Sequence, residues 1–208
     1  MRAVRNTTDP NLRHQAYSRL ASANLYDNED QKAEAARLLS ERLASGREPI
    51  ISRAVICRTL GELKRPEGRE AVIRALDETE PVVQTEAARA LGKLGQPEDA
   101  AMLARLAMAG TSINLRIAAI ESIGALRPSD SRYTTLLVDG MEHTDPAVRV
   151  ASHEALCALA GRDLGLDAKV WRAQVTRRDP AAVNTAARPN DTGSELEPPP
   201  ARPAVSRP

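Results

Sequence analysis

A helical pattern recurs along this chain at intervals close to 32 residues. Five segments carry it: NLRHQAYSRLAS at 11–22, SRAVICRTLGEL at 52–63, VVQTEAARALGKLG at 82–95, NLRIAAIESIGAL at 114–126 and AVRVASHEALCALAG at 147–161. Each places a large aliphatic residue four positions after a small or apolar one, in the pairs Ala16/Leu20, Ile56/Leu60, Ala87/Leu91, Ala119/Ile123 and Ser152/Leu156. Spacing of i,i+4 is the period of a helix face, not of a strand. The anchors Leu20, Leu60, Leu91, Ile123 and Leu156 lie 40, 31, 32 and 33 residues apart. An interval of 31 to 33 residues holds two helices and their turns, a unit that must stack on its neighbours to bury its apolar face.

A second apolar series fills the gaps, at 31–44, 68–78, 98–109 and 130–142, with the faces Leu39/Leu43, Val72/Leu76, Met102/Leu106 and Thr134/Val138. The chain therefore reads as helix A, turn, helix B, turn. The predicted fold class is all-α: a right-handed α-solenoid of about five helical hairpins, the first incomplete. The longer first interval is assigned to two extended polar connections, DNEDQK at 27–32 and ASGREP at 44–49. Asp9-Pro10 and Asp145-Pro146 set a capping carboxylate before a residue whose missing N–H costs nothing in the first helical turn. Glu80-Pro81 holds the same place with a poorer cap. Gly61, Gly92 and Gly124 occupy one equivalent position near the ends of the B helices. A glycine inside a helix costs about 0.5–1 kcal/mol, so a close approach of neighbouring helices is expected there.

The pattern Pro-x-Val-x-x-x-Ala-Ala-x-Ala-Leu-Gly, complete at 81–92, resembles the B helix of a HEAT repeat, in the short bacterial form also found in phycobilisome-lyase-like proteins. Arg13, Arg53, Arg116 and Arg149 fall where such repeats often carry Arg, and Gln84 departs from it. The segments 53–63, 137–149 and 161–172 also resemble an uncharacterised HEAT-repeat family of planctomycete-type bacteria. Its last segment commonly reads Gly-x-Asp-aromatic-Gly-x-Asp-x-x-x-Trp. Gly161, Asp163, Gly165, Asp167 and Trp171 match, while Leu164 replaces the ring. These resemblances imply HEAT-like hairpins over about 8–178. The lyase-like one implies, as an alternative function, an accessory enzyme of the bilin-lyase kind.

Composition narrows the function classes. Phe is absent and aromatics make 2% of the 208 residues, so base-stacking platforms for nucleic acid are a poor reading. A balance of 29 basic against 28 acidic residues argues against a DNA-coating surface. With the only Trp assigned to the terminal cap, the concave groove of a helical DNA glycosylase does not fit either. No apolar run reaches the length of a membrane span, and the start MRAVRNTTDPNLRHQ has no apolar signal core, which favours a cytoplasmic location. The expected domains are a flexible N-terminus at 1–9, a repeat domain at 10–178 and a tail at 179–208. That tail holds seven of the 14 prolines and no apolar period, so it is expected to be disordered.

The residue types that carry chemistry are few. His153 and Cys157, four apart on one helix, offer two metal ligands, and the nearest others, His143 and Asp145, lie across a turn; no metal or cofactor is predicted. Cys57 and Cys157 stand where other repeats have Ala88 and Gly92, and are read as core. Asp163 and Asp167 are read as loop and capping carboxylates, Trp171 as the cover of the last repeat. The four arginines are read as pairing with carboxylates or carbonyls of adjacent repeats rather than forming a ligand ladder. No set of acid, base and nucleophile converges, so the predicted role is not enzymatic. It is protein–protein interaction or scaffolding, with a protein or peptide partner on the concave surface of the B helices. The candidate contact residues there are Arg19, Arg58, Arg89, Glu121 and Glu154, each within two residues of its anchor.

Overall fold

The computed structural model describes residues 9–178, ten α-helices with no strand among them. Except for Asp9, the expected N-terminal segment and the expected proline-rich tail lie outside the described residues. The helices are α1 (Pro10–Arg19), α2 (Glu29–Ala44), α3 (Ile50–Leu63), α4 (Arg69–Ala75), α5 (Pro81–Leu94), α6 (Ala100–Ala109), α7 (Ile113–Leu126), α8 (Ser131–Gly140), α9 (Pro146–Ala160) and α10 (Ala168–Arg178). The odd helices α1 to α9 are the B series and α2 to α8 the A series, so four complete hairpins follow a lone B helix. Among these residues no helix is long and apolar enough to cross a membrane.

Local chemistry sets the helix starts. Asp9 and Asp145 precede Pro10 and Pro146, and each carboxylate accepts the backbone N–H two residues on, from Asn11 and Ala147, at 2.8 Å. Glu80 makes no such side-chain cap. Residues 27–32 are not an extended connection: Asn28 caps α2 by accepting the Gln31 N–H at 3.0 Å, and the helix begins at Glu29. The long first interval arises instead from a 3₁₀ turn at Ala23–Leu25, a 16-residue helix and the loop before Ile50.

All five anchors are buried in one continuous core. The B helices pack directly on one another, and the contact is made at the repeated glycines. A Cβ on Gly61 would lie 2.8 Å from the Cα of Ala90, one on Gly124 2.9 Å from the Cα of Ala155, and one on Gly92 2.6 Å from the Oγ of Ser122. Each glycine thus admits the small residue that precedes the next anchor. Two hydroxyls on that same position fasten the stack: Thr59 donates to the carbonyl of Tyr17 (3.1 Å), and Ser122 to that of Ala88 (2.8 Å).

The A helices use faces partly different from those predicted. Leu39, Leu43, Val72 and Leu76 are buried as expected. In α6, however, Leu103 and Ala107 enter the core while Met102 and Leu106 pack at its edge. In α8 the inner face is Tyr133, Leu137 and Val138, not Thr134. Charge pairs join the hairpins. Arg69 grips the buried Asp99 with two donors, Nε at 2.9 Å and a second nitrogen on the other carboxylate oxygen, and Asp99 also accepts the Gln96 N–H. Arg172 joins α10 to α8 through Glu142 (2.8 Å) and Asp139 (3.0 Å).

The open end of the stack is closed by α10. Trp171 is 1% exposed, and its indole N–H donates to the carbonyl of Gly165 at 2.8 Å. Truncation of Trp171 to Ala should lower stability by about 3–5 kcal/mol, read by chemical denaturation, as for other buried aromatic truncations. Gly124→Val should destabilise as well, by at least about 1–3 kcal/mol, because the added carbons meet helix backbone, which cannot rotate away as a side chain can. A Gly124→Val variant with an unchanged melting temperature would show that α7 and α9 are not held at this contact.

Candidate functional site

Exposed charged side chains stand on every B helix, and from α3 to α9 they share one offset from the anchor, which sets them in a stripe. Arg19 on α1, Arg58 on α3, Arg89 on α5, Glu121 on α7 and Glu154 on α9 are all exposed. Arg89 pairs with Glu86 in its own helix at 3.0 Å, and Lys93 bridges to Glu62 of the preceding B helix. No described ion pair involves Arg58, Glu121 or Glu154. Between α7 and α9 the stripe sinks into a shallow groove of about 450 Å³, where Glu121 and Glu154 flank Ile117, Ala147 and Val150. The structure thus brings Glu121 and Glu154 to one groove. Arg58 and Arg89 stand on neighbouring helices further along the stack.

The four repeat arginines turn inward to the scaffold. Arg13 reaches the buried Glu48 (3.5 Å) and Arg53 reaches Glu78 (2.9 Å), both carboxylates in the turn of the following hairpin. Arg116 and Arg149 instead donate to carbonyls in their own hairpin's turn, Gly110 at 3.2 Å and His143 and Thr144 at 3.0 Å. Gln84, the residue out of pattern, donates to the Leu76 carbonyl at 3.1 Å. An amide therefore replaces a guanidinium with the same job, satisfying the end of an A helix.

A second, larger groove of about 600 Å³ opens on the other layer, between α6 and α8. Its walls include Ala104, Met108, Ile120 and Leu136, and Arg116, Arg132 and His143 stand among them. The Arg132 guanidinium lies over the Tyr133 ring, 4.8 Å from its centroid.

At the C-terminal end, three groups meet that sequence spacing did not unite. His153 Nε2 lies 2.9 Å from Asp163 Oδ1 and 3.5 Å from Cys157 Sγ. Cys157 is half-buried rather than a core residue, while Cys57 is fully buried as expected. Asp167 is the cap it was read as, accepting the Lys169 N–H at 2.9 Å. Asp163 accepts the Gly165 N–H at 2.7 Å; that bond and His153 hold its carboxyl below the usual range. Burial, and then the Asp163 charge, push the Cys157 thiol up. The arrangement differs from that of an activated cysteine nucleophile. In a thiol–imidazole–carboxylate relay the acid sits on one ring nitrogen and the thiol on the other. Here both approach Nε2, and the thiol is pushed up instead of down. Burial also pushes the Cys57 thiol, up to about 12. Asp163 could not be paired with His153 from the sequence, because the contact depends on how the 161–167 loop closes.

The family model for HEAT repeats matches residues 36–124. Among solved structures, the chain is similar to the complex of CpcE and CpcF of phycocyanin lyase from Nostoc sp. PCC7120, with 18% identity and a TM-score of 0.63. That alignment covers 84% of this chain and 66% of the other, so the chain spans just under two thirds of its length. It is also similar to an engineered protein, with 18% identity, 85% of each chain covered and a TM-score of 0.58. At such identity the likeness is one of fold. The search of curated proteins gives no match. The chain therefore carries HEAT repeats over residues 36–124, and its described helices on either side continue the same α-solenoid.

Proposed function

We propose that this chain is a docking subunit that binds a protein partner along the exposed face of its B helices. The observation that carries the reading is the shape of that layer. Successive B helices are drawn together at Gly61, Gly92 and Gly124, whereas a groove separates α6 from α8 in the A layer. The more closely spaced layer of a stack lies inside its curve, which makes the B face concave. Along it the charge changes sign, from Arg58 and Arg89 to Glu121 and Glu154. A partner with acidic and basic groups in the opposite order would be selected by register as well as by affinity. Ile117 and Val150 add apolar contact where the two glutamates meet.

This reading has two forms, a stand-alone scaffold and an accessory subunit of a lyase-like enzyme, and the likeness to two paired phycocyanin lyase chains favours the second. The α6–α8 groove supports it too. Apolar walls beside Arg132, whose guanidinium is held by the exposed Asp130 at 3.1 Å, suit a flat apolar ligand whose carboxylate would take the place of that partner, the chemistry of a bilin. In that form the chain binds and positions, and the chemistry is completed with its partner.

Affinity capture with the full chain tests the docking face. Reversing Arg58 and Arg89 to Glu should weaken the captured partner about tenfold or more, or about 1.4 kcal/mol, with helical content unchanged. If the complex survives that change but is lost when Glu41 and Arg74 on the A layer are reversed, the working face is the other one. A separate titration with a free bilin tests the lyase-like form: a saturable change in its absorption, weakened by Arg132→Ala, is expected. A bilin spectrum unmoved by the chain would leave only the scaffold form.

A further inference from the structure

Two positions of the B helix change character in the last repeat. Three residues before the anchor, the earlier helices carry Cys57, Ala88 and Ile120, all buried against neighbouring helices. One residue after the anchor they carry Gly61, Gly92 and Gly124, where the next B helix is met. In α9 these positions hold His153 and Cys157. No further B helix lies beyond them among the described residues; the loop 161–167 folds over them instead and brings in Asp163.

That loop is shaped by several fixed contacts. Gly161 and Gly165 adopt positive φ, 68° and 85°, which other residues rarely tolerate. The Gly165 N–H donates to Asp163 Oδ1, and the Gly165 carbonyl accepts the Trp171 indole. The Trp171 ring stands edge-on to His153, with centroids 6.2 Å apart and planes at 80°. The nitrogen, sulfur and oxygen atoms all lie within 4.8 Å of one another.

We propose that His153 Nε2, Cys157 Sγ and a carboxylate oxygen of Asp163 form a binding site for a zinc-class divalent cation, with water as the fourth ligand. Metal–ligand lengths of about 2.0–2.3 Å at a tetrahedral angle put ligand atoms about 3.3–3.6 Å apart. The observed 3.5 Å between sulfur and nitrogen already meets this, and the 2.9 Å between nitrogen and oxygen needs only a small opening. One thiolate, one imidazole and one carboxylate suit zinc or cobalt; calcium and magnesium require shells of oxygen. On binding, the Cys157 S–H bond is replaced by a metal–sulfur bond and the proton passes to solvent. Asp163 is 63% exposed at its side chain, which leaves water access to the metal. Its bond to Gly165 orients the carboxylate, as outer partners commonly do in such sites.

The experiment is a titration of the metal-free, tag-free full chain with Co²⁺. Expected are a one-to-one thiolate-to-cobalt charge-transfer band in the near ultraviolet and parallel quenching of Trp171, the chain's single tryptophan, both reversed by Zn²⁺. Cys157→Ser should abolish the band, while His153→Gln and Asp163→Asn should weaken binding by about tenfold or more. Cys57→Ala, which places the residue found at Ala88 into the equivalent core position, should leave the titration unchanged. Circular dichroism checks each variant's helices, and Zn²⁺ should raise the melting temperature of the wild type but not of Cys157→Ser. Absence of the band at millimolar Co²⁺ would overturn the proposal. So would a band that survives Cys157→Ser, disappears in Cys57→Ala, or forms equally well in Asp163→Asn.

Discussion

Everything in this array rests on how closely one B helix can approach the next. Gly61, Gly92 and Gly124 remove the atoms that would hold helix axes apart, and Ala90, Ser122 and Ala155 fill the space so made. The chain has almost no aromatic residues with which to fill wide gaps, so short aliphatic and alanine side chains suffice only at this spacing. Glycine weakens each helix taken alone, but dispersion contacts along a whole helix face outweigh that cost. The hydroxyls of Thr59 and Ser122 add direction: each donor finds its acceptor carbonyl in only one register of the stack.

The same spacing explains what could be read from the sequence. The anchors and the glycines repeat because every repeat faces the same neighbour, so their positions revealed the B layer and the hairpin count. The A helices face a less demanding surface. The segment AAMLARLAMA is apolar on several sides, so periodicity alone chose Met102/Leu106 where the protein buries Leu103/Ala107. In α8 a threonine four residues from a valine satisfied the pattern, but the larger Tyr133 next to it takes the inner place. The arginine series was legible as scaffold, though three of the five equivalent positions, Gln84 among them, serve the turn of their own hairpin and not that of a neighbour.

The candidate site was legible in proportion to its repetition. Arg19, Arg58, Arg89, Glu121 and Glu154 could be placed on the surface because each is offset from an anchor whose burial was already fixed. The terminal cluster had no such guide. His153 and Cys157 interrupt the repeat, and Asp163 reaches them through a loop whose path depends on two glycines in left-handed conformations and on the indole of Trp171. These three side chains meet where the periodic rule ends among the described residues, at a unit covered by a loop and α10 instead of a further B helix.

The unequal coupling of the two layers also gives the molecule a mechanical character. The B helices, in close contact at each glycine, form a spine, while the A helices are ribs tied to one another through side-chain pairs such as Arg69 with Asp99, which can follow a change in separation more readily than packed backbones. Bending that spreads the ribs would alter the width of the α6–α8 groove and leave the spacing between Arg58 and Arg89 nearly constant. A chain built in this way can alter the spacing of one layer while holding the charged residues of the other at nearly fixed intervals.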